Sequence, residues 1–435
     1  MFALSPAYAL ALGIAVTPRL AMPSPSEPAT ASRRPFATGL RPPRWQSSDG
    51  QHAFWLNARV HFDSKTGTDP VAPTFYVRRA RLTASATAFH RRLTAKLGLE
   101  FGRTSAADVR DAYVNLRIHD LIQLQAGQQR LPFSTERLTG SNWLNHPERP
   151  IIVDQLAGPR DIGWMAWGTT PGHRLAYYIG VFNGTGENII DNADAKLDTV
   201  ARVTARPVAP LFLAASYRHS PGVGQGQPSS ETLVDDDRRT VGGHGRVFLD
   251  LLDDASIVRH GARHRMAGGP RLRWRQLEVK CEFQLEYLTN VQQHRARAAQ
   301  PTADQPPVSV GDLVTWSAFG DASFVVTGEP NTGRDIQPLS PLFRHGKLAG
   351  SGAWQLNLRY ERYHTDAKLL TRGLATGADT VQAATGTVIW TAVPGFRVLL
   401  SYHQARFSQR ASLRPPNSTN SNPEHTLLVR SDFHF

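Results

Sequence analysis

The chain has 435 residues, a formal net charge of +13 and a pI near 10.3. Its single cysteine, Cys281, excludes an intrachain disulfide and a Cys-based zinc site. No run of about eighteen apolar residues occurs, so no transmembrane helix is expected, and no Pro- or Gly-rich linker divides the interior into soluble domains.

At the N-terminus, Tyr8 to Val16 form a short apolar core, and Ala29-Thr30-Ala31 is a small-residue cleavage candidate. Residues 1–31 therefore read as an export signal, although no Lys or Arg precedes the core. Residues 32–50 are Arg/Pro-rich without a helical period and are expected to be a flexible lead-in. Residues 51–435 are expected to form one β-barrel domain, because a period of two dominates from Phe54 onward. The clearest case is Trp354 to Glu361. There Trp354, Leu356, Leu358 and Tyr360 face one way, and Gln355, Asn357, Arg359 and Glu361 face the other.

A soluble sandwich alternates too, with one face on its core and one in water. Here the segments are about ten residues long, enough to cross a bilayer when tilted. Tight turns are expected at His90-Arg91, His119-Asp120, Thr170 to His173, Pro207 to Pro210, Gly269-Pro270 and Val393 to Gly395. Long polar connections follow Gln129, Tyr217, Tyr287 and Phe407. Such alternation of turns and loops is how a membrane barrel arranges its two rims. About sixteen antiparallel strands are predicted. Their expected starts are His52, Phe75, Leu93, Val109, Ile122, Asp161, Arg174, Leu197, Leu211, Ser256, Gln276, Thr315, Ala353, Thr380, Phe396 and His425. This parity puts the long connection Glu329 to Ser351 on the side of the short turns. The last segment carries Leu427, Val429, Ser431, Phe433 and the terminal Phe435 on one face.

Arginine facing lipid at mid-depth costs about 2–4 kcal/mol, so the arginines of such a barrel belong in its lumen. In the second segment, Tyr76, Ala80, Leu82 and Ala84 are expected to face lipid, and Arg79, Arg81, Thr83 and Ser85 the lumen. Arg78 is out of phase. Arginine far outnumbers lysine, and its planar fork matches the oxygens of phosphate-like anions. The segment Leu131 to Pro159 is too long for a turn and too apolar for a free surface loop. It is expected to fold inward and constrict the lumen, with Arg137, Thr139, Ser141 and Asn142 as donors.

The ordered set Tyr76 to Leu82, Asp111-Ala112-Tyr113-Val114, Gly127-Gln128, Pro132 to Glu136, Ser141-Asn142-Trp143, Glu148-Arg149 and Gly158 to Gly163 resembles the phosphate-selective porin O and P family. Phe182-Asn183-Gly184, Val326 to Glu329, Trp354 to Tyr360 and Leu427 to Arg430 extend the resemblance to about Phe54–Phe435. The resemblance implies a homotrimeric barrel in the outer membrane of Gram-negative bacteria, passing phosphate or pyrophosphate-like anions through a constriction without a cofactor. Carried over, the family's paired arginines fall on Arg78 and Arg79, its aspartate on Asp111, its basic loop residue on Arg137 and its serine pair on Gly140 and Ser141. Arg81 and Arg130 complete the candidate anion-binding set. Gly140 lacks one hydroxyl, and Asn142 stands where the family has a basic residue.

Composition and motifs weigh against the other classes. His244, His260 and His264 sit in no nucleophile motif, and no Gly-rich phosphate loop or metal-ligand spacing occurs, so no enzyme and no cofactor are expected. The arginines lack stacking aromatics on a shared face, which argues against nucleic acid. The remaining alternative is a structural or surface-binding barrel, whose loops Asp235 to Arg239 and Asn417 to Pro423 would meet a partner.

Overall fold

The structure is a computed structural model. It describes residues 42–68, 72–102, 107–158, 160–190, 192, 196–222, 238–240, 247–251, 256–259, 261–295, 308–408 and 423–435. The chain divides into 1–37 and 38–435. The expected export signal lies outside the described residues, as do the two surface loops 235–237 and 417–422.

Eighteen strands share one sheet; two are short additions, Arg44–Gln46 and Ser256–Arg259, and the other sixteen close an antiparallel barrel. The barrel strands are β1 Ala53–Gly67, β2 Thr74–Ala88, β3 Leu93–Glu100, β4 Asp108–His119, β5 Ile122–Gln129, β6 Asp161–Thr169, β7 Leu175–Phe182 and β8 Asp198–Ala205. They continue as β9 Leu211–Ser220, β10 Arg263–Trp274, β11 Leu277–Arg295, β12 Val308–Val325, β13 Ala353–Thr365, β14 Thr380–Val393, β15 Phe396–Phe407 and β16 Glu424–His434. Each pairs with the next, and β16 closes on β1 from Arg59↔His434 to Gly67↔Thr426. Closure removes the unpaired edges that an open sheet would present.

Alternation places the side chains as the sequence requires. On β13, Leu358 is 70% exposed while its neighbour Asn357 is 1% exposed. Exposed Leu356, Tyr360, Leu400, Tyr402, Leu427 and Phe433 continue the apolar exterior, and buried Gln355, Arg359, Glu361, Thr387 and Asp432 the polar interior. This is the pattern of a barrel with lipid outside and polar groups within.

Three expectations are corrected. The tenth strand does not start at Ser256: Ser256–Arg259 pairs with the upper part of β11, and β10 begins at Arg263. Gly269-Pro270 is not a turn but mid-strand, opposite Ala214 and Leu213; the turn falls at Arg275-Gln276. A Cβ on Gly269 would lie 2.1 Å from the Cys281 carbonyl oxygen, so these residues mark a close backbone approach rather than a chain reversal. The strand expected from Thr315 starts at Val308. Within the lead-in, Arg44–Gln46 pairs with β1.

The long connection 326–352 does lie on the short-turn side. It is packed rather than free: Glu329 accepts from the Leu339 N–H (2.8 Å), and Ile336 is buried with Val325 and Ala353.

Gly127 meets a special demand on β5. Its φ is +120°, and a Cβ there would sit 2.2 Å from the Ala112 carbonyl oxygen. Gly127→Val is expected to lower the folded fraction by several-fold, read as loss of the heat-modifiable band on electrophoresis, because both the dihedral and the contact forbid a side chain.

Candidate functional site

Between β5 and β6 the chain forms α1 Thr135–Leu138, a 3-10 turn Ser141–Trp143 and α2 Ile151–Leu156. Ser134 caps α1, accepting from the Arg137 N–H (3.1 Å) and donating to the Glu282 carboxylate on β11 (2.5 Å). The Ile151 N–H donates to Glu361 on β13 (2.6 Å). Arg202 on β8 donates to Thr135 Oγ1 (2.6 Å), and Ser216 on β9 donates to the Phe133 carbonyl (2.7 Å). Asn145 donates to Asp321 on β12 (2.9 Å), and His146 Nδ1 lies 2.7 Å from Thr387 on β14. All these partners belong to the polar face of the sheet, opposite the exposed apolar band. Leu131, Phe133, Ile151, Val153 and Leu156 bury against one another and against Phe182, Leu313, Phe319 and Tyr363. The apolar character of this segment is thus explained by burial.

The second strand holds a β-bulge. His61 pairs with Arg79 and Phe62 with Val77, leaving Arg78 as the extra residue. The bulge turns both Arg78 and Arg79 to the polar face, where both are buried. It also reverses the phase before it: Phe75 and Val77 are exposed. Tyr76, expected to face lipid, is therefore moved to the polar face, within electrostatic reach of Asp63 and Glu148. A second bulge at β3–β4, where Gly98 pairs with Asp111 and Leu99 with Val109, buries Arg110 beside Asp111 in the same way.

Most predicted site residues are already engaged. Arg78 grips Glu148 with two nitrogens (2.9 and 3.1 Å), and Arg79 reaches the same carboxylate at 3.7 Å and His61 at 3.3 Å. Arg430 on β16 joins Glu148 (2.6 Å) to Asp63 on β1 (2.7 Å). Burial opposes ionisation of Glu148, yet Arg78, Arg79 and Arg430 hold its carboxyl well below the usual carboxylate range. This node ties the β1–β16 seam, β2 and the segment together. Arg81 pairs with Glu100 (2.7 Å). Asp111 pairs with Arg160 (2.9 Å) and Lys96 (3.6 Å) rather than with the β2 arginines. Arg130 donates to the Leu138 carbonyl (2.8 Å), and half-buried Arg137 holds its main-chain N–H on Ser134.

Arg59 is the residue that sequence reasoning missed. It sits on β1 directly opposite Arg81, and its guanidinium donates to the Oγ of buried Ser141. Two like charges opposite each other are unfavourable unless compensated. The carboxylates within electrostatic reach, Glu100 and Asp432, have arginines of their own in Arg81 and Arg397. Among the described residues neither Arg59 nor Arg130 has a carboxylate partner within ion-pair distance. Arg149 also lies within reach of both and donates to the carbonyls of Glu136 (3.2 Å) and Thr139 (2.7 Å). The signal for Arg59 was its lumen phase on the first strand; the signal for Arg149 was its place after Glu148.

One of the two departures in the segment has a local cause. A Cβ at Gly140 already meets the Trp143 ring at 3.1 Å, so a larger residue would displace that ring. Arg334, from the connection 326–352, lies over the same ring at 5.3 Å. Asn142 is buried, and its Oδ1 has no hydrogen-bond partner among the described residues.

Residues 54–227 match the family described as phosphate-selective porin O and P, beginning where the resemblance was expected to begin but ending just past the middle of the chain. Among curated proteins none matches the chain. Solved structures similar to it include the anion-selective porin from Comamonas acidovorans (12% identity, 88% of this chain and 100% of that one, TM-score 0.53). The outer membrane channel DcaP of Acinetobacter baumannii has 11% identity over 90% of this chain and 99% of its own, with a TM-score of 0.53. OmpT of Vibrio cholerae, in its trimer form, has 8% identity over 88% and 100%, with a TM-score of 0.51. At these identities the likeness establishes the fold. The apolar exterior, the closed sixteen-strand meander and these likenesses show an outer-membrane porin-type β-barrel fold, within which residues 54–227 match the phosphate-selective porin O and P family.

Proposed function

We propose that this barrel is a passive channel selective for anions, with phosphate or related oxyanions such as pyrophosphate as its solutes. The observation that carries the reading is the surplus of positive charge at Arg59 and Arg130, beside a serine hydroxyl. Arg59 donates to Ser141 Oγ, which leaves the Ser141 proton to be given to an anion. An oxyanion loses much water on entering a narrow passage, and guanidinium and hydroxyl donors replace it. In this reading the segment 131–158 is the constriction. Arg59, Arg81, Arg130, Arg137 and Ser141 face the solute, while Arg78, Arg79 and Asp111 fix the segment and its surroundings. Weak binding at several points suits conduction, since a tight site would trap the ion.

A homotrimer belongs to the same reading. The outer surface of β1–β5 carries a shallow depression lined by Ala84, Ala86, Ala95, Ala112 and Ala126, which a second copy would fill with little loss of side-chain freedom.

The test is single-channel current in a planar bilayer, with chloride as carrier and phosphate titrated in. Saturable block of the chloride current by phosphate is expected. Ser141→Ala and Arg137→Ala should each raise the half-blocking concentration about three- to tenfold, the loss of one hydrogen bond or one nearby charge. Anion selectivity without block would remove phosphate from the reading. Correctly folded protein that forms no channels would favour the surface-binding barrel.

A further inference from the structure

The outward face of the barrel is not uniform. On β9, β10, β13, β15 and β16, one residue in from the end that meets the long connections, stand His219, His264, His364, Arg406 and His425. Their chain neighbours Arg218, Arg263, Thr365, Phe407 and Glu424 are buried, so alternation turns these five outward. Strand register sets them in rows. His219 pairs with His264 and His264 with Tyr287. Trp316 pairs with His364 and His364 with Thr380. Arg362 pairs with Gln382 and Gln382 with Arg406, and Gln404 pairs with His425.

Little in this belt cancels its charge. Arg362 lies over the Trp316 ring at 5.6 Å, and among the described residues no carboxylate pairs with Arg362 or Arg406. Of the acids near it, Asp312 is held by Tyr287 and by the Asn290 N–H (2.9 Å), Asp366 is paired with Lys368 (3.3 Å), and Asp379 accepts from Ser408 Oγ (2.6 Å). On β2, β3 and β7 the outward surface is instead apolar, with exposed Phe75, Val77, Leu97 and Val181. The short-turn rim is mixed: Phe89, Leu175, Trp274 and Phe324 are exposed, and so are Arg91, Arg92, Arg174, Arg206 and Arg275, the last two lying over the Phe212 and Trp274 rings. Along the long-connection rim, the outward arginines and histidines are thus gathered on about half of the circumference.

In an outer-membrane barrel the long connections are extracellular, so this rim lies at the headgroups of the outer leaflet. Arginine facing outward costs only about 0–1 kcal/mol there, against about 2–4 at the midplane. A planar guanidinium takes two oxygens of a phosphate, and histidine and tyrosine add donors at the same height. We propose that the row formed by His219, His264, Arg362, His364, Arg406 and His425 docks phosphate-bearing lipid headgroups of the outer leaflet.

Native mass spectrometry of the full chain in detergent tests this, with phosphatidic acid and phosphatidylcholine of identical acyl chains as probes. The wild type is expected to retain phosphatidic acid about tenfold better. The triple variant Arg362→Gln, His364→Gln, Arg406→Gln is expected to lose that preference while keeping wild-type single-channel conductance and phosphate block. Heat-modifiable migration checks that it folds; if it does not, Arg406→Gln alone should lose about half of the preference. Undiminished retention of phosphatidic acid by a folded variant overturns the proposal. So does displacement of the lipid by millimolar inorganic phosphate, which would put the bound phosphate in the lumen.

Discussion

Arg59→Ala is expected to raise the phosphate concentration for half-block of the chloride current by at least about tenfold, and to lower the preference for anions over cations. The physical reason is the arrangement around Ser141. Arg59 faces Arg81 across the β1–β2 ladder, and Glu100, within electrostatic reach of both, is bonded to Arg81. An anion completes the compensation, so its binding should draw mainly on Arg59. A hydrogen bond to a charged group contributes about 1.5–3 kcal/mol, which is about ten- to a hundredfold in affinity. Arg59→Lys should recover the charge but not the geometry, and so restore selectivity better than block. Block unchanged in folded Arg59→Ala would move the binding site away from Ser141.

Glu148→Ala is expected to produce a larger conductance and a less stable barrel. Glu148 is the shared partner of Arg78, Arg79 and Arg430, and Arg430 also holds Asp63 at the β1–β16 seam. Removing one member of a buried charge network strands the others, at about 3–5 kcal/mol. With the anchor gone, the segment loses its hold near Pro147, where Arg430 and Arg359 also bind its main chain. Single-channel recordings should show larger, noisier openings, and the heat-modifiable form should convert at a lower temperature. The carboxyl of Glu148 is held well below its ordinary range, so its stabilisation is present at neutral pH. It should fade only as pH falls through that depressed value. Wild-type conductance and stability in this variant would mean that the segment is held by its other anchors alone.

Much of the scaffold was legible because lipid and lumen impose opposite chemistry on successive residues. Trp354 to Glu361 shows this plainly, and the expected starts of β3, β5, β6, β9, β13, β14 and β15 coincide with those observed. The alternation fails as a guide where the backbone departs from it. At the Arg78 bulge the period slips by one residue, and Tyr76 changes sides. At Gly268-Gly269-Pro270 the residue types of a turn serve a close approach between strands. In both places the cause is the neighbouring strand, which no local pattern records.

The candidate site divides in the same way. Its residue types were readable: a barrel lumen is where arginine is tolerated, and an apolar segment too long for a turn has to be buried. Partnership was not readable. Glu148 and Arg430 are 282 positions apart, and Ser134 and Glu282 are 148 apart. Barrel closure and the burial of segment 131–158 bring them together, and burial makes the pairing obligatory, because an unpaired charge away from water is too costly to keep. By itself, then, the sequence determined an antiparallel, arginine-rich barrel with an apolar exterior, since each of those properties is written into neighbouring residues. Only the tertiary structure decided which arginines are neutralised and that Arg59 is left facing Ser141, because compensation of charge depends on distances set by the closed barrel.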